Sequence, residues 1–169
     1  NQTATQLFSD QQSVLGQTPI AGNEKVMFSV KFTSTNPSVG VGGRVIGVGR
    51  PVMNYNSNMG AYPGNDDNSV GFSDDGQYYY DGNGTTGYPT WGSGDIIDIA
   101  IAHGQYWWIR VNGGYWNNIS SANPADLSGG AVLNGVSECH PALCPYIYGT
   151  MEILNTPTYG YPLGYNFLG

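Results

Sequence analysis

The sequence predicts an all-β chain folded as a two-sheet antiparallel β-sandwich. Three observations carry that reading. Apolar and polar side chains alternate at period two in several short runs. Gly, Asn, Asp and Pro break the chain between those runs, as tight turns require. Helix formers are scarce, since Lys plus Arg amounts to 5 and Asp plus Glu to 12 of 169 residues, while Gly alone contributes 26. The length suits one domain with a core of its own.

Residues 1–23 are polar, with a weak apolar pattern at Leu7, Phe8, Val14, Leu15 and Ile20, and read as an N-terminal strand or arm. The sandwich itself is expected over residues 24–154. Residues 25–33 place Val26, Phe28, Val30 and Phe32 on one face and Met27, Ser29, Lys31 and Thr33 on the other, a half-buried antiparallel strand. In 39–51, VGVGGRVIGVGRP, the glycines suit a strand whose backbone is closely covered or bulged. A phosphate loop is excluded there, because Gly-x-x-x-x-Gly-Lys-Ser/Thr is absent and no helix follows.

Residues 52–68 read as a long polar loop. SVGFS (69–73) and QYYYD (77–81) flank Asp74-Asp75-Gly76, a hairpin signal. Residues 82–94 read as a second Gly-rich loop. DIIDIAIA (95–102) sets Ile97, Ile99 and Ile101 against Asp98, Ala100 and Ala102. After a turn at His103-Gly104, QYWWIRVN (105–112) returns with Trp107, Ile109 and Val111 on the core face. Tyr106, Trp108 and Arg110 take the other face, which suits a groove or a site beneath another sheet. Residues 115–137 read as loop, 141–154 as one or two last strands, and 155–169 as a tail packed on the body.

These pieces, in order, carry a resemblance. The series KVMFSVKF, VGVGG, SVGFSDDGQYYYDG, GDIIDIAIAHGQYWWIRVNGGYW and HPALCPYIYGTMEI resembles the SPRY family over residues 24–154. The match rests on the hairpin from Gly71 to Tyr80, Gly-Asp-x-Ile at 94–97, Asn112-Gly113 and Pro141-Ala142. The resemblance implies a concanavalin A-like two-sheet jelly roll that binds rather than catalyses. The tail, NTPTYGYPLGYNFLG, is similar to the ends of SPRY-like proteins among tailed-phage structural genes. The Leu-Asp-Pro and Trp-Glu-Val signatures of animal ubiquitin-ligase members are missing, so their partner classes are not carried over.

Composition excludes several functions. Five basic residues against a net charge of −7 cannot track a phosphate backbone or an anionic membrane, so neither nucleic acid nor lipid is an expected partner. No apolar run approaches the roughly 20 residues of a membrane helix. Cys139 and Cys144, in ECHPALCP, read as two thiols or one small local disulfide, because a zinc site needs more ligands than the nearby His140 supplies.

Little in the chain argues for catalysis. His103 falls in a turn and His140 beside a cysteine, and no Gly-x-Ser-x-Gly accompanies them. A carbohydrate-active enzyme would need paired carboxylates across a cleft, and Asp98 and Glu152 are the strand candidates, with Glu24 and Glu138 near strand ends. Asp66, Asp67, Asn68, Asp74, Asp75, Asp81 and Asn83 crowd into one stretch, so Ca2+ stays open. Their spacing lacks a calcium-loop register and fits turns, so no cofactor is expected.

Aromatics are the strongest binding signal, with 13 Tyr and 4 Trp. Tyr55, Tyr62, Tyr88, Trp91, Tyr115 and Trp116 fall in loops among Asn, Gly and Ser and are the candidate ligand-binding residues. Trp107 is assigned to the core. The resulting expectation is a non-enzymatic binding or structural module of a virion appendage, such as a phage fibre, spike or decoration protein. Its partners would be a host-surface glycan or protein, other virion structural proteins and further copies of itself. Location would be the virion, or else secreted and extracellular. The alternatives are a carbohydrate-active enzyme on the same sandwich and a purely structural assembly subunit. Asn-x-Ser/Thr sites at Asn1, Asn83 and Asn118 matter only in a eukaryotic secretory setting.

Overall fold

The computed structural model describes the backbone of residues 2–5 and, in full, residues 13–34, 43–52, 62–133, 138–146 and 149–169. Its strands are β1 (Gln2–Thr5), β2 (Val14–Leu15), β3 (Ile20–Ala21), β4 (Lys25–Ser34), β5 (Val45–Gly49), β6 (Ser69–Ser73) and β7 (Gln77–Tyr80). Then follow β8 (Asn83–Thr86), β9 (Ile96–Ala102), β10 (Tyr106–Val111), β11 (Ala131–Val132), β12 (Glu138–Cys144), β13 (Gly149–Ile153) and β14 (Asn166–Phe167). Short 3-10 turns span Trp116–Asn118 and Pro124–Asp126.

Two sheets face each other. The first runs β1-β13-β4-β9-β10-β11 and the second β2-β12-β5-β6-β7-β8, with β3 also on β12. Among the described residues, every strand pairing is antiparallel but one: β14 lies parallel to β4 at Val26 and Met27, past the point where β13 leaves β4 at Val30. The tail, expected to form no element, thus ends in a short strand. Hydrogen bonds from the Leu154 amide to the Ser29 carbonyl and from the Leu168 amide to the Met27 carbonyl bracket the gap and fix the tail's path.

The predicted alternation builds the core. Val26, Phe28, Val30 and Phe32 of β4 join Ile97, Ile99 and Ile101 of β9 and meet Ile46, Val48, Val70 and Phe72 of the second sheet. Trp107, fully buried, stacks on Phe72 with ring centroids 4.1 Å apart, bridging the two sheets. Each such side chain removed from water contributes on the order of 1.5–3 kcal/mol.

Three sequence expectations need correction. The stretch 82–94 is not all loop, because Asn83–Thr86 pairs with β7 as the edge strand β8. Asp81-Gly82 between them has φ 49° and 71°, the two positive angles that a two-residue hairpin turn requires. The second face of β4 is only half in solvent, since Met27 and Ser29 are fully buried while Lys31 and Thr33 are exposed. That face of the first sheet carries a third layer, in which Trp116 and Tyr165 cover Met27, Ala100, Ala102 and Trp108. The Trp108 indole donates to the Ser128 carbonyl (2.9 Å), and Gly130 lies against its ring, where a Cβ would stand 2.6 Å from ring carbon.

The third correction concerns Asp98, which opens into no groove. It is 0% exposed, takes a bond from Arg110 Nε at 2.8 Å and another from Ser29 Oγ at 2.5 Å. The Arg110 guanidinium lies 4.4 Å from the Trp116 ring centre and also donates to the Gly160 carbonyl. Burial pushes the Asp98 carboxyl up, while the bonds from Ser29 and Arg110 pull it down.

In the glycine-rich strand β5, a Cβ on Gly47 would lie 1.9 Å from the Val70 carbonyl oxygen of the neighbouring β6, and β6 has a close approach of its own. Gly71 of β6 sits under Pro63, whose carbonyl oxygen would lie 2.2 Å from a Cβ there. The segment around Pro63 therefore covers the outer face of the second sheet at van der Waals distance.

Candidate functional site

A groove of about 240 Å³ opens at one end of the sandwich. Tyr88, Pro89 and Thr90, following the second sheet's edge strand, form one wall. Val111, Gly114, Tyr115 and Asn118, following β10 of the first sheet, form the other. The site therefore spans both sheets at the rim of the core, where ligand grooves collect. A second cavity, beside Gly16 and Pro141, has a volume of about 20 Å³, room for a single water.

Each wall is held from below. The Tyr88 ring packs on Phe72 at 4.9 Å and on Tyr78 at 5.9 Å, and its amide bonds the Gly76 carbonyl. Burial pushes its hydroxyl pKa up. On the other wall, the turn begins at Asn112 and Gly113 with φ 49° and 72°. Asn117 then locks it, accepting from the Ile109 amide at 2.8 Å and donating to the Gly129 carbonyl at 2.9 Å. Asn117 and Asn118 both sit in the left-handed region, which Asn tolerates better than most residues. A bond from Asn118 Nδ2 to the Gly87 carbonyl (3.3 Å) ties one wall to the other.

The candidate aromatics divide sharply. Tyr88 and Tyr115 both line the groove, and Tyr115 is 68% exposed. Trp116 points the opposite way, into the third layer, and is 8% exposed. Trp91 is a core residue, 3% exposed and edge-on to Phe32. Neither indole has a free face for a ligand, because each fills space that the sandwich must seal. Tyr62 lies over the outer face of the second sheet, edge-on to Tyr79 at 5.4 Å, away from the groove. Tyr55 falls outside the described residues. Of the other lining residues, the sequence assigned Val111 to the core face and Asn118 to an Asn-x-Ser/Thr site, and it named none of Pro89, Thr90, Val111, Gly114 and Asn118 as ligand-binding. Tyr-Pro at 88–89 and paired asparagines after a Trp were the available signals for their loops.

Among the described residues, no charged side chain lines the groove, and no carboxylate, imidazole, thiol or serine does. The residues weighed for chemistry have other engagements. His103 Nδ1 bonds the Gly22 carbonyl at 2.6 Å and His140 Nδ1 the Gly16 carbonyl at 2.8 Å. Glu152 stands opposite Lys31 in the ladder, on a different strand pair from Asp98. Cys139 and Cys144 are buried thiols, and five residues apart on one strand they face opposite sides, so the local disulfide does not form.

The acidic stretch is organised as turns. Asp66 Oδ1 accepts from the Asn68 amide and the Ser69 hydroxyl, Asp74 pairs with Arg44 at 2.7 Å, and Asp75 accepts from Gln77 and Ser73. Among the described residues, no three His, Cys, Asp or Glu side chains are grouped to hold a metal ion.

Comparison with known proteins gives the fold a place. No family model matches the chain, and no curated protein does. Among solved structures, the SPRY domain of human HERC1 superposes with a TM-score of 0.67 at 15% identity, covering 92% of this chain and 91% of that one. The PSpry domain of TRIM65 gives 0.59 at 10% identity, over 87% and 73% of the two chains. Stonustoxin gives 0.59 at 11% identity, over 85% of this chain and 21% of its own. The architecture is a SPRY-like β-sandwich.

Proposed function

We propose that the chain is a non-enzymatic recognition module that holds its ligand in the groove between residues 88–90 and 111–118. One observation carries this: the groove is preformed, uncharged and edged by an exposed aromatic. Its walls are anchored by Asn117, Asn118 and the Phe72 stack, so binding requires little ordering, and less affinity is lost to entropy. The exposed Tyr115 brings large, stiff contact area with few torsions to freeze. Among the described residues, the lining holds no carboxylate or imidazole for acid–base catalysis to work with. The likeness to SPRY domains supports a binding role through its fold alone.

The setting we propose is a virion appendage or a comparable extracellular assembly. Support for it is compositional: 10% charged residues and a surface rich in Asn, Gly and Tyr. The tail adds a reason to expect neighbouring subunits, since Tyr161 is 53% and Leu163 88% exposed. Those side chains suit contact with another copy or another assembly protein.

Fragment screening by amide NMR tests the site. Small fragments should first move the amides of Thr90, Val111, Gly114 and Asn118. Fragments that collect elsewhere, or nowhere, would remove the groove from the account.

A further inference from the structure

We propose that the groove takes a neutral sugar ring; the proposal rests on the groove being the recognition site. Charge is the first argument. Among the described residues, the lining offers neither a carboxylate for a cation nor a Lys or Arg for an anion. An ionic group entering it would lose water and meet no opposite charge on these residues, which is unfavourable. A ligand without charge is therefore selected.

The polar groups present are of one kind. Hydroxyls on Tyr88, Thr90 and Tyr115 each donate and accept, and the Asn118 amide does both through separate atoms. Asn118 uses Nδ2 on Gly87 and leaves Oδ1 to accept from a ligand. Such a set matches a ligand whose own groups both donate and accept, and vicinal hydroxyls do so at close spacing. An apolar surface stands beside them. The Tyr115 ring is exposed and flanked by Gly114, which lacks a side chain to crowd its face. The electropositive C–H face of a pyranose fits the negative face of that ring.

Size points the same way. At about 240 Å³ the groove is smaller than the roughly 300–1,000 Å³ of drug-sized ligand pockets. A single ring, or the terminal ring of a chain, fills it. A folded protein partner would need to bury about 800 Å² on its own side, far beyond these walls.

The test is a titration of ¹⁵N-labelled protein with the methyl glycosides of glucose, galactose, mannose and N-acetylglucosamine, beside methyl glucuronide. At least one neutral glycoside should shift Thr90, Gly114 and the Asn118 side-chain amide, with affinity in the millimolar range. Methyl glucuronide should bind about tenfold more weakly than its neutral counterpart, because no cation meets its carboxylate. Tyr115→Ala and Asn118→Gly should each lose about tenfold in affinity. Glycine keeps the left-handed backbone at 118 and Tyr115 is exposed, so both variants should melt close to the parent. The sugar assignment is overturned if no neutral glycoside shifts these signals, or if the glucuronide binds as well. A parallel arm screens a library of uncharged heptapeptides. Peptides at the groove with no sugar response would overturn the sugar and leave the groove reading standing. Silence from both libraries would overturn both.

Discussion

Arg110→Met is the most informative perturbation of the fold. Arg110 is 12% exposed in its side chain and holds Asp98, which is 0% exposed, at 2.8 Å. Without the guanidinium, Asp98 stays buried and keeps the hydrogen bond from the Ser29 hydroxyl. Removing one partner of a buried pair costs about 3–5 kcal/mol, because it strands the other charge. The contact with the Trp116 ring contributes about 1 kcal/mol more. We expect a loss of about 5 kcal/mol, which for a chain of this size lowers Tm by about 10–20 °C. Burial already raises the Asp98 carboxyl above 3.8, and losing Arg110 raises it further. The folded variant then holds a proton that the unfolded chain releases. Its stability is kept at low pH and lost as pH rises through the window above 3.8, so its deficit shrinks on acidification. Asp98→Asn combined with Arg110→Met should recover more than half of the loss, since no buried charge remains. Urea unfolding followed by Trp fluorescence, at pH 7 and about pH 4.5, reads all three expectations. A single-variant cost below about 1 kcal/mol would refute the reasoning, as would a double variant no better than the single one.

Other consequences are as direct. Gly71→Ala should destabilise by about 2–3 kcal/mol, because its methyl would meet the Pro63 carbonyl at 2.2 Å; chemical denaturation checks it. Burial, with Glu138 and Glu24 adding, pushes the Cys139 thiol up to about 12, so a thiol reagent at pH 8 should label neither buried cysteine until the chain unfolds. Burial likewise pushes the Tyr78 hydroxyl from 10.0 up to about 12. The unfolded chain ionises first, so the stability tied to this group is full below about pH 10 and lost as pH rises towards about 12, which alkaline melts and phenolate absorbance follow together.

Much of the fold was legible because its signals are local. Period-two alternation gave β4, β9 and β10 almost to the residue, and Asp74-Asp75-Gly76 gave the β6–β7 hairpin. The same Asp-Gly signal at 81–82 was equally present. It was passed over because Asn83–Thr86 has no apolar side chain, and β8 is a strand through its pairing with β7 alone. The third layer was less visible, since nothing local says what covers a sheet. Small apolar residues at Ala100 and Ala102, opposite the Ile face, were the trace it left. The site was half legible for the same reason. Aromatic loops were identified, but exposure is a tertiary property: Tyr115 and Trp116 are neighbours in sequence and point opposite ways. Trp91 looked like loop and packs as core.

One side-by-side measurement bears on the central claim. Wild type and Thr90→Trp are applied to the same array of neutral glycans, charged glycans and peptides. Thr90 is exposed at the groove's wall, so the new indole fills the groove without disturbing the sandwich. The account predicts that every ligand bound by wild type is lost by the variant, with the melting temperature unchanged. Ligands retained by a folded Thr90→Trp protein would place recognition elsewhere on the surface and contradict it.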